Sequence, residues 1–350
     1  MEKYVSKTLE QNTLSSVGHL MLEEYLTKEK LCENLPLPIS LDSNQISFDN
    51  ITFKHSNDVN LINSNIELVA FSDLTVAGLM AIQLKANITI QSLNTTNNRN
   101  NATSYRFSVK CEDFASSRKL VAEFSLNNNI ELGLLQNAPS LEKGGLLVMD
   151  MDSTTIEIEC IDEIAKLAGT GEQVSKVTEL AMEGKLDFAQ SLHQRVATLA
   201  NASVGILEEV ARDIPLMPGL ETLIKELKKS NWRIAIASGG FTYFADHLQN
   251  LLSLDAAHAN ELEIVNGKLT GKVLGNVVDA QAKADCLLNL AKKYQIEHNQ
   301  TVAMGDGAND LVMMEAASFG VAFHAKPIVL AQADSSINHK GLDCLLHWLA

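Results

Sequence analysis

Over the second half of the chain, short apolar runs alternate with segments of helical spacing. Leu146–Met149, Arg233–Ala237, Thr301–Met304 and Gly320–Phe323 have the length and unbroken apolar character of strands buried on both faces. Phe241, Phe244, Leu248 and Leu251 share one helical face, and a further helix is expected over Lys283–Lys292. The alternation predicts an α/β fold, a Rossmann-like parallel sheet with helices on both faces. Asn266-Gly267, between Glu261–Val265 and Lys268–Leu274, is a hairpin signal at its side. About 80 residues separate the first two strands, far more than one crossover helix needs. They contain helical patterns at Ile161–Ala168, at Val174–Met182, and through Phe188, Leu192, Val196 and Leu199. An insertion at about 163–216, directly after the first strand, predicts a helical cap over a site.

The first half reads differently. Ile66–Phe71, Ile88–Leu93, Tyr105–Lys110 and Ile130–Leu135 have strand character, and Leu74–Leu84 and Phe114–Asn127 helical spacing, with an asparagine-rich turn at Asn94–Asn101. The order β-α-β-β-α-β predicts a small α+β domain of the ferredoxin-like kind. Residues 1 to about 65 are polar and expected to be irregular, with Pro36 and Pro38 breaking any long helix. Asn137–Ser140 through Gly144-Gly145 reads as a linker, so two domains are expected, 1–140 and 141–350, in keeping with a 350-residue chain.

Apolar residues make up 46% and charged residues 20%, the balance of a soluble globular protein. Forty-three acidic against 28 basic residues give a net charge of −15, which excludes a nucleic-acid backbone as partner. The five cysteines show no CxxC spacing, so neither a disulfide framework nor a zinc site is expected. The first 20 residues lack the apolar core of a signal peptide, and no apolar run reaches the ~20 residues of a membrane span. A cytoplasmic protein without membrane partners is expected, in which sequons such as Asn87-Ile88-Thr89 are chance matches.

The candidate chemistry lies where the strands end. Leu146–Met149 runs into Asp150-Met151-Asp152-Ser153-Thr154-Thr155. Two carboxylates at the carboxyl end of a parallel strand can hold a divalent cation and attack phosphorus, though an Asx or Ser/Thr turn would use the same residues. Ser238-Gly239-Gly240 ends the second strand and leads into a helix, either as an anion cradle of free N–H groups or as a tight turn. Thr301–Met304 leads into Gly305-Asp306-Gly307-Ala308-Asn309-Asp310, whose two carboxylates can face one point. Four converging acidic groups call for a cation, and oxygen ligands select Mg²⁺. Lys283 is either a solvated surface charge or the fixed positive charge a phosphoryl-transfer site needs.

In this order and spacing, DxDST, SGG, a lysine and GDGAND resemble the haloacid dehalogenase-like phosphotransferases. Asp150–Ala165, Ala181–Leu192 with Arg195 beyond it, and Leu216–Leu220 resemble, within that superfamily, the phosphoserine phosphatases, in their longer bacterial form with an extra amino-terminal domain. The resemblance covers nearly all of 145–330. It implies that Asp150 is the nucleophile and becomes an aspartyl-phosphate, and that Asp152 is the general acid and base. It implies Mg²⁺ held by Asp150, the Asp152 backbone carbonyl, Asp306 and Asp310, and phosphate oxygens held by Ser238, Gly239, Lys283 and Asn309. In the cap, Glu159 would take the substrate ammonium and Arg195 its carboxylate, with Met182 and Phe188 closing apolar contacts. Met151 stands where an aromatic is common, and should pack equally well.

The implied reaction is Mg²⁺-dependent hydrolysis of O-phospho-L-serine, the last step of serine synthesis. A homodimer is left open. Two other readings stay open: phosphotransfer from phosphoserine to an alcohol such as homoserine, and a non-catalytic amino-acid sensor. The amino-terminal β-α-β-β-α-β pattern resembles an ACT-like regulatory domain, without the glycine-rich turn after its first strand that would mark an amino-acid site.

Overall fold

The computed structural model describes residues 39–41, 53–55 and 65–350. The irregular structure expected over 1–65 otherwise falls outside them. The exceptions are two short strands, β1 (Ile39–Leu41) and β2 (Phe53–His55), which pair antiparallel. The chain forms two compact units, one of residues 139–333 and one that joins 1–138 to 334–350.

In the discontinuous unit, β3 (Ile66–Phe71), α1 (Val76–Ala86), β4 (Ile88–Arg99), β5 (Ala102–Cys111), α2 (Phe114–Asn128) and β6 (Leu132–Gln136) follow the expected β-α-β-β-α-β order. Both helices have side-chain caps: Thr75 accepts from the Gly78 N–H and Asp113 from the Ser116 N–H. Both end on an asparagine in the left-handed region, Asn87 and Asn129. The sheet is antiparallel, in the order β2-β1-β4-β5-β3-β6. The turn expected at Asn94–Asn101 is shorter. Arg99 pairs with Ala102, and only Asn100 and Asn101 turn, at φ 50° and 58°. A two-residue hairpin needs positive φ at both positions, which asparagine tolerates, so the rest of the polar run remains strand.

The other unit opens with β7 (Leu146–Met149), all four residues fully buried. Four cap helices follow, α3 (Cys160–Leu167), α4 (Gly171–Met182), α5 (Phe188–Ala197) and α6 (Gly205–Arg212). Then come α7 (Leu220–Lys229), β8 (Arg233–Phe241), α8 (Thr242–Leu252), β9 (Ala256–Val265), β10 (Lys268–Leu274), α9 (Ala280–Tyr294), β11 (Thr301–Gly305), α10 (Leu311–Ala316), β12 (Phe319–Phe323) and α11 (Pro327–Leu330). The strand order is β10-β9-β8-β7-β11-β12, parallel apart from the β9–β10 hairpin, which turns at Asn266-Gly267. Leu146, Val148, Ala235 and Ala237 pack with Leu287, Leu290 and Met313. Their strand neighbours Leu147, Met149, Ile234 and Ile236 point the other way and are equally buried, so both sheet faces are covered. Leu251, expected on the buried face of α8, is exposed, and Phe241 belongs to β8.

Residues 334–350 were expected within the second domain and instead complete the first unit. The reason is a set of contacts between residues distant in sequence. Glu131, 1% exposed, accepts the backbone N–H groups of Asn338, His339 and Lys340 at 2.8–3.1 Å. Arg106 donates to the carbonyls of His347 and Leu349, both at 3.0 Å, while holding Glu67 at 2.7 Å. The fully buried Trp348 lies 5.9 Å from the Phe71 ring and donates to the Ser336 carbonyl. Among the described residues, no helix is long and apolar enough to cross a membrane. Because Trp348 fills that core, Trp348→Ala should cost about 3–5 kcal/mol of unfolding free energy, read by urea denaturation.

Candidate active site

Register places the acidic strand ends side by side. Met149 of β7 pairs with Met304 of β11, and the Asp150 N–H continues the ladder onto the Met304 carbonyl at 2.9 Å. Asp150 and Asp306 therefore leave neighbouring strands within one residue of the same level. Asp310 follows one short turn later, its Oδ2 accepting the Gly307 N–H at 3.0 Å. A β-carbon on Gly305 would collide with the Asp310 carboxyl, so only glycine admits this return. Asp150, Asp306 and Asp310 each offer an oxygen within 4.8 Å of the others.

Lys283, in the first turn of α9, is fully buried and is not a surface charge. Its ammonium donates to Asp150 Oδ2 and to Asp310 Oδ1, each at 2.7 Å. Burial alone would lower Lys283, but these two carboxylates raise it above its ordinary value, so it stays charged. Burial pushes Asp306 and Asp310 up, the charge on Asp150 adds to this, and Lys283 opposes it. One ammonium among three carboxylates leaves an excess of negative charge on hard oxygen donors. That donor set fits a divalent cation.

Two threonines that sequence reasoning had passed over hold this arrangement. Thr154 donates to Asp306 Oδ1 at 3.2 Å and Thr155 to the Asp150 carbonyl at 2.5 Å. Thr155 and Ile156 also return their N–H groups to the Met151 carbonyl, curling the loop after β7. Met151 is fully buried beneath it. The hydroxyl run after the aspartates was the available signal.

A cavity of about 400 Å³ opens over the cluster. Of the catalytic, substrate and metal candidates, all line it except Lys283 and Asp310. Asp152 faces the cavity and accepts the Cys160 N–H at 3.3 Å. Burial, then the charges of Glu159 and Asp150, push it up to about 8. A carboxyl that keeps its proton near neutrality can serve as an acid.

From the cap, Glu159 caps α3 only through its backbone, its carboxylate instead accepting from the Ser153 hydroxyl at 2.8 Å. Arg195, in the last turn of α5, has a buried Nε with no hydrogen-bond partner. Burial lowers Arg195, while Glu159 and Asp162 draw it back up. Met182 is 75% exposed, and so is not packed into the cap interior. Ser191, Thr178 and Lys326 also line the cavity without having been anticipated. Nothing in their local sequence separates them from ordinary helix and loop residues.

Ser238-Gly239-Gly240 does not sit at a helix start. It lies within β8, and α8 begins only at Thr242. Close approach explains the glycines: a β-carbon on Gly239 would stand 2.5 Å from Phe188 Cζ, and one on Gly240 2.9 Å from Asp152 Oδ2. The cap ring and the acid thus press directly on bare backbone.

Lys283→Met would bury Asp150 and Asp310 with no counter-charge. In metal-free buffer this should cost about 3–5 kcal/mol of stability. Added divalent cation should restore part of the loss in the same urea titration, because it replaces the missing positive charge.

A family profile for haloacid dehalogenase-like hydrolases matches residues 145–318. The phosphoserine phosphatase of Vibrio cholerae is 59% identical over 213 residues, 61% of this chain and 65% of that enzyme. That of Haemophilus influenzae is 55% identical over 224 residues, 64% of this chain and 71% of its own. A crystal structure of a probable phosphoserine phosphatase from Vibrio cholerae superposes with a TM-score of 0.69 at 44% identity, covering 84% of this chain and 88% of the other. With strand-end and cap positions both inside the matched region, the chain belongs to the haloacid dehalogenase-like hydrolases, in the phosphoserine phosphatase family.

Proposed function

We propose that the chain hydrolyses O-phospho-L-serine to L-serine and phosphate through an aspartyl-phosphate, as a cytoplasmic enzyme of serine synthesis. One observation carries this reading: a single cavity presents Asp150 beside an acidic cluster together with Glu159 and Arg195. Phosphate, ammonium and carboxylate are the three charged groups of phosphoserine, and each has a complementary partner there. A guanidinium with a free Nε suits a planar carboxylate, which takes two parallel N–H bonds.

Asp150 attacks phosphorus, and the bond from phosphorus to the serine oxygen breaks. Asp152 hands its proton to that oxygen, a step its raised value prepares for at neutral pH. The resulting carboxylate of Asp152 then takes a proton from the water that cleaves the aspartyl-phosphate. Lys283 holds Asp150 in place through its bond to Oδ2. Ser238, Gly239 and Asn309 take phosphate oxygens from the cavity wall. Mg²⁺, held by Asp150, the Asp152 carbonyl and Asp306 with Asp310 beside them, would offset the repulsion between phosphate and these carboxylates. Met182 and Phe188 close the apolar side of the cavity.

Steady-state phosphate release tests the reading. The protein should turn over phosphoserine only with Mg²⁺ present, and Asp150→Asn should show no measurable turnover. Phosphohomoserine formed in the presence of homoserine would make the chain a phosphotransferase instead. Absence of any turnover would favour the sensor. Arg195→Ala should lower kcat/KM on phosphoserine roughly 10²–10³-fold, because truncating one side of a buried charge pair costs that much. On phosphoethanolamine, which has no carboxylate, the same variant should match the unmodified protein within about 3-fold.

A further inference from the structure

Ser153 stands between the nucleophile loop and the cap, with a backbone that an L-residue rarely adopts. Its φ is 55°, in the left-handed region where a β-carbon is disfavoured. In that conformation two bonds reach the start of α3. Its N–H donates to the Ile158 carbonyl at 3.3 Å, and its hydroxyl donates to Glu159 Oε1 at 2.8 Å. Together with the bond from the Cys160 N–H to Asp152 Oδ1, residues 152–153 grip residues 158–160 at three points.

Glu159 depends on this grip. Its side chain makes no capping bond to α3, although it occupies the cap position. Burial first, and then the charges of Asp306, Asp150 and Asp162, disfavour its anionic form, while the Ser153 bond favours it. With no donor, a flexible carboxylate among those charges would turn away from them. Strain retained at a functional position is expected where it holds something in place.

We propose that Ser153 is a positioning residue for the substrate ammonium: its hydroxyl engages Glu159 Oε1 and leaves Oε2 aimed at the amine. This rests on the phosphoserine reading and assigns that site its amine selectivity. The competing view is a Ser/Thr turn whose hydroxyl serves only to close the loop.

Two variants separate the views. Ser153→Gly removes the hydroxyl and relieves the positive φ, so Tm should hold or rise. Ser153→Ala removes the hydroxyl and keeps the strain, so Tm should fall slightly. Both should raise KM for phosphoserine roughly 10-fold with kcat within about 2-fold, the scale of one hydrogen bond to a charged group. On 3-phosphooxypropionate, which keeps phosphate and carboxylate but lacks the amine, kcat/KM should stay within about 2-fold. In a Glu159→Gln background the glycine variant should add no further loss on phosphoserine. Equal losses on both substrates, an unchanged KM for phosphoserine, or an undiminished effect beside Glu159→Gln would each overturn the assignment while leaving the phosphatase reading intact. An unmodified protein inert towards phosphoserine would overturn both.

Discussion

The buried ammonium of Lys283 is the charge around which the site is built. Asp150 and Asp310 could not lie together at the end of the sheet without it, since burying a carboxylate is costly unless it is paired. The pairing ties three elements to one point: β7 through Asp150, the turn after β11 through Asp310, and α9 through Lys283 itself. Three carboxylates against one lysine still leave negative charge to be balanced. The same burial that would weaken a single-purpose structural pair therefore leaves a donor set suited to a cation.

Around that centre lies a short, tightly folded stretch. Between Asp150 and Cys160 the chain reverses on the Met151 carbonyl and binds back onto itself through Thr154, Thr155 and Ser153. Asp150, Asp152 and Glu159 thus share one loop, and their spacing is set by local hydrogen bonds. Arg195 reaches the same cavity from α5 in the cap, with Phe188 of the same helix packed against Gly239.

Much of this was legible in advance because the signals are short-range. Four apolar runs specified a parallel sheet, and the residues that end three of them, Asp150, Ser238-Gly239-Gly240 and Gly305-Asp306, marked its catalytic edge. Asn266-Gly267 specified a hairpin, and the long interval after the first strand specified a cap. Charge alone gave no burial for Lys283, because a lysine in a helix is usually solvated and its two partners are 133 and 27 residues away. The glycines after Ser238 were open to two explanations. Their actual one, contact with Phe188 and Asp152, involves side chains far off in sequence.

The ends of the chain make the same distinction. Residues 334–350 carry apolar positions that any core could accept, and contacts such as those of the carbonyl-seeking Arg106, the N–H-accepting Glu131 and the Phe71 ring assign them to the amino-terminal unit. By itself, the sequence determined the element order, the strand-end chemistry and the set of residues available for phosphate, ammonium and carboxylate, since periodicity and motif spacing are local properties. Tertiary structure alone decided which charges are buried against one another, which glycines face a side chain, and how Ser153 and Glu159 meet, because those depend on distances closed only when remote segments pack.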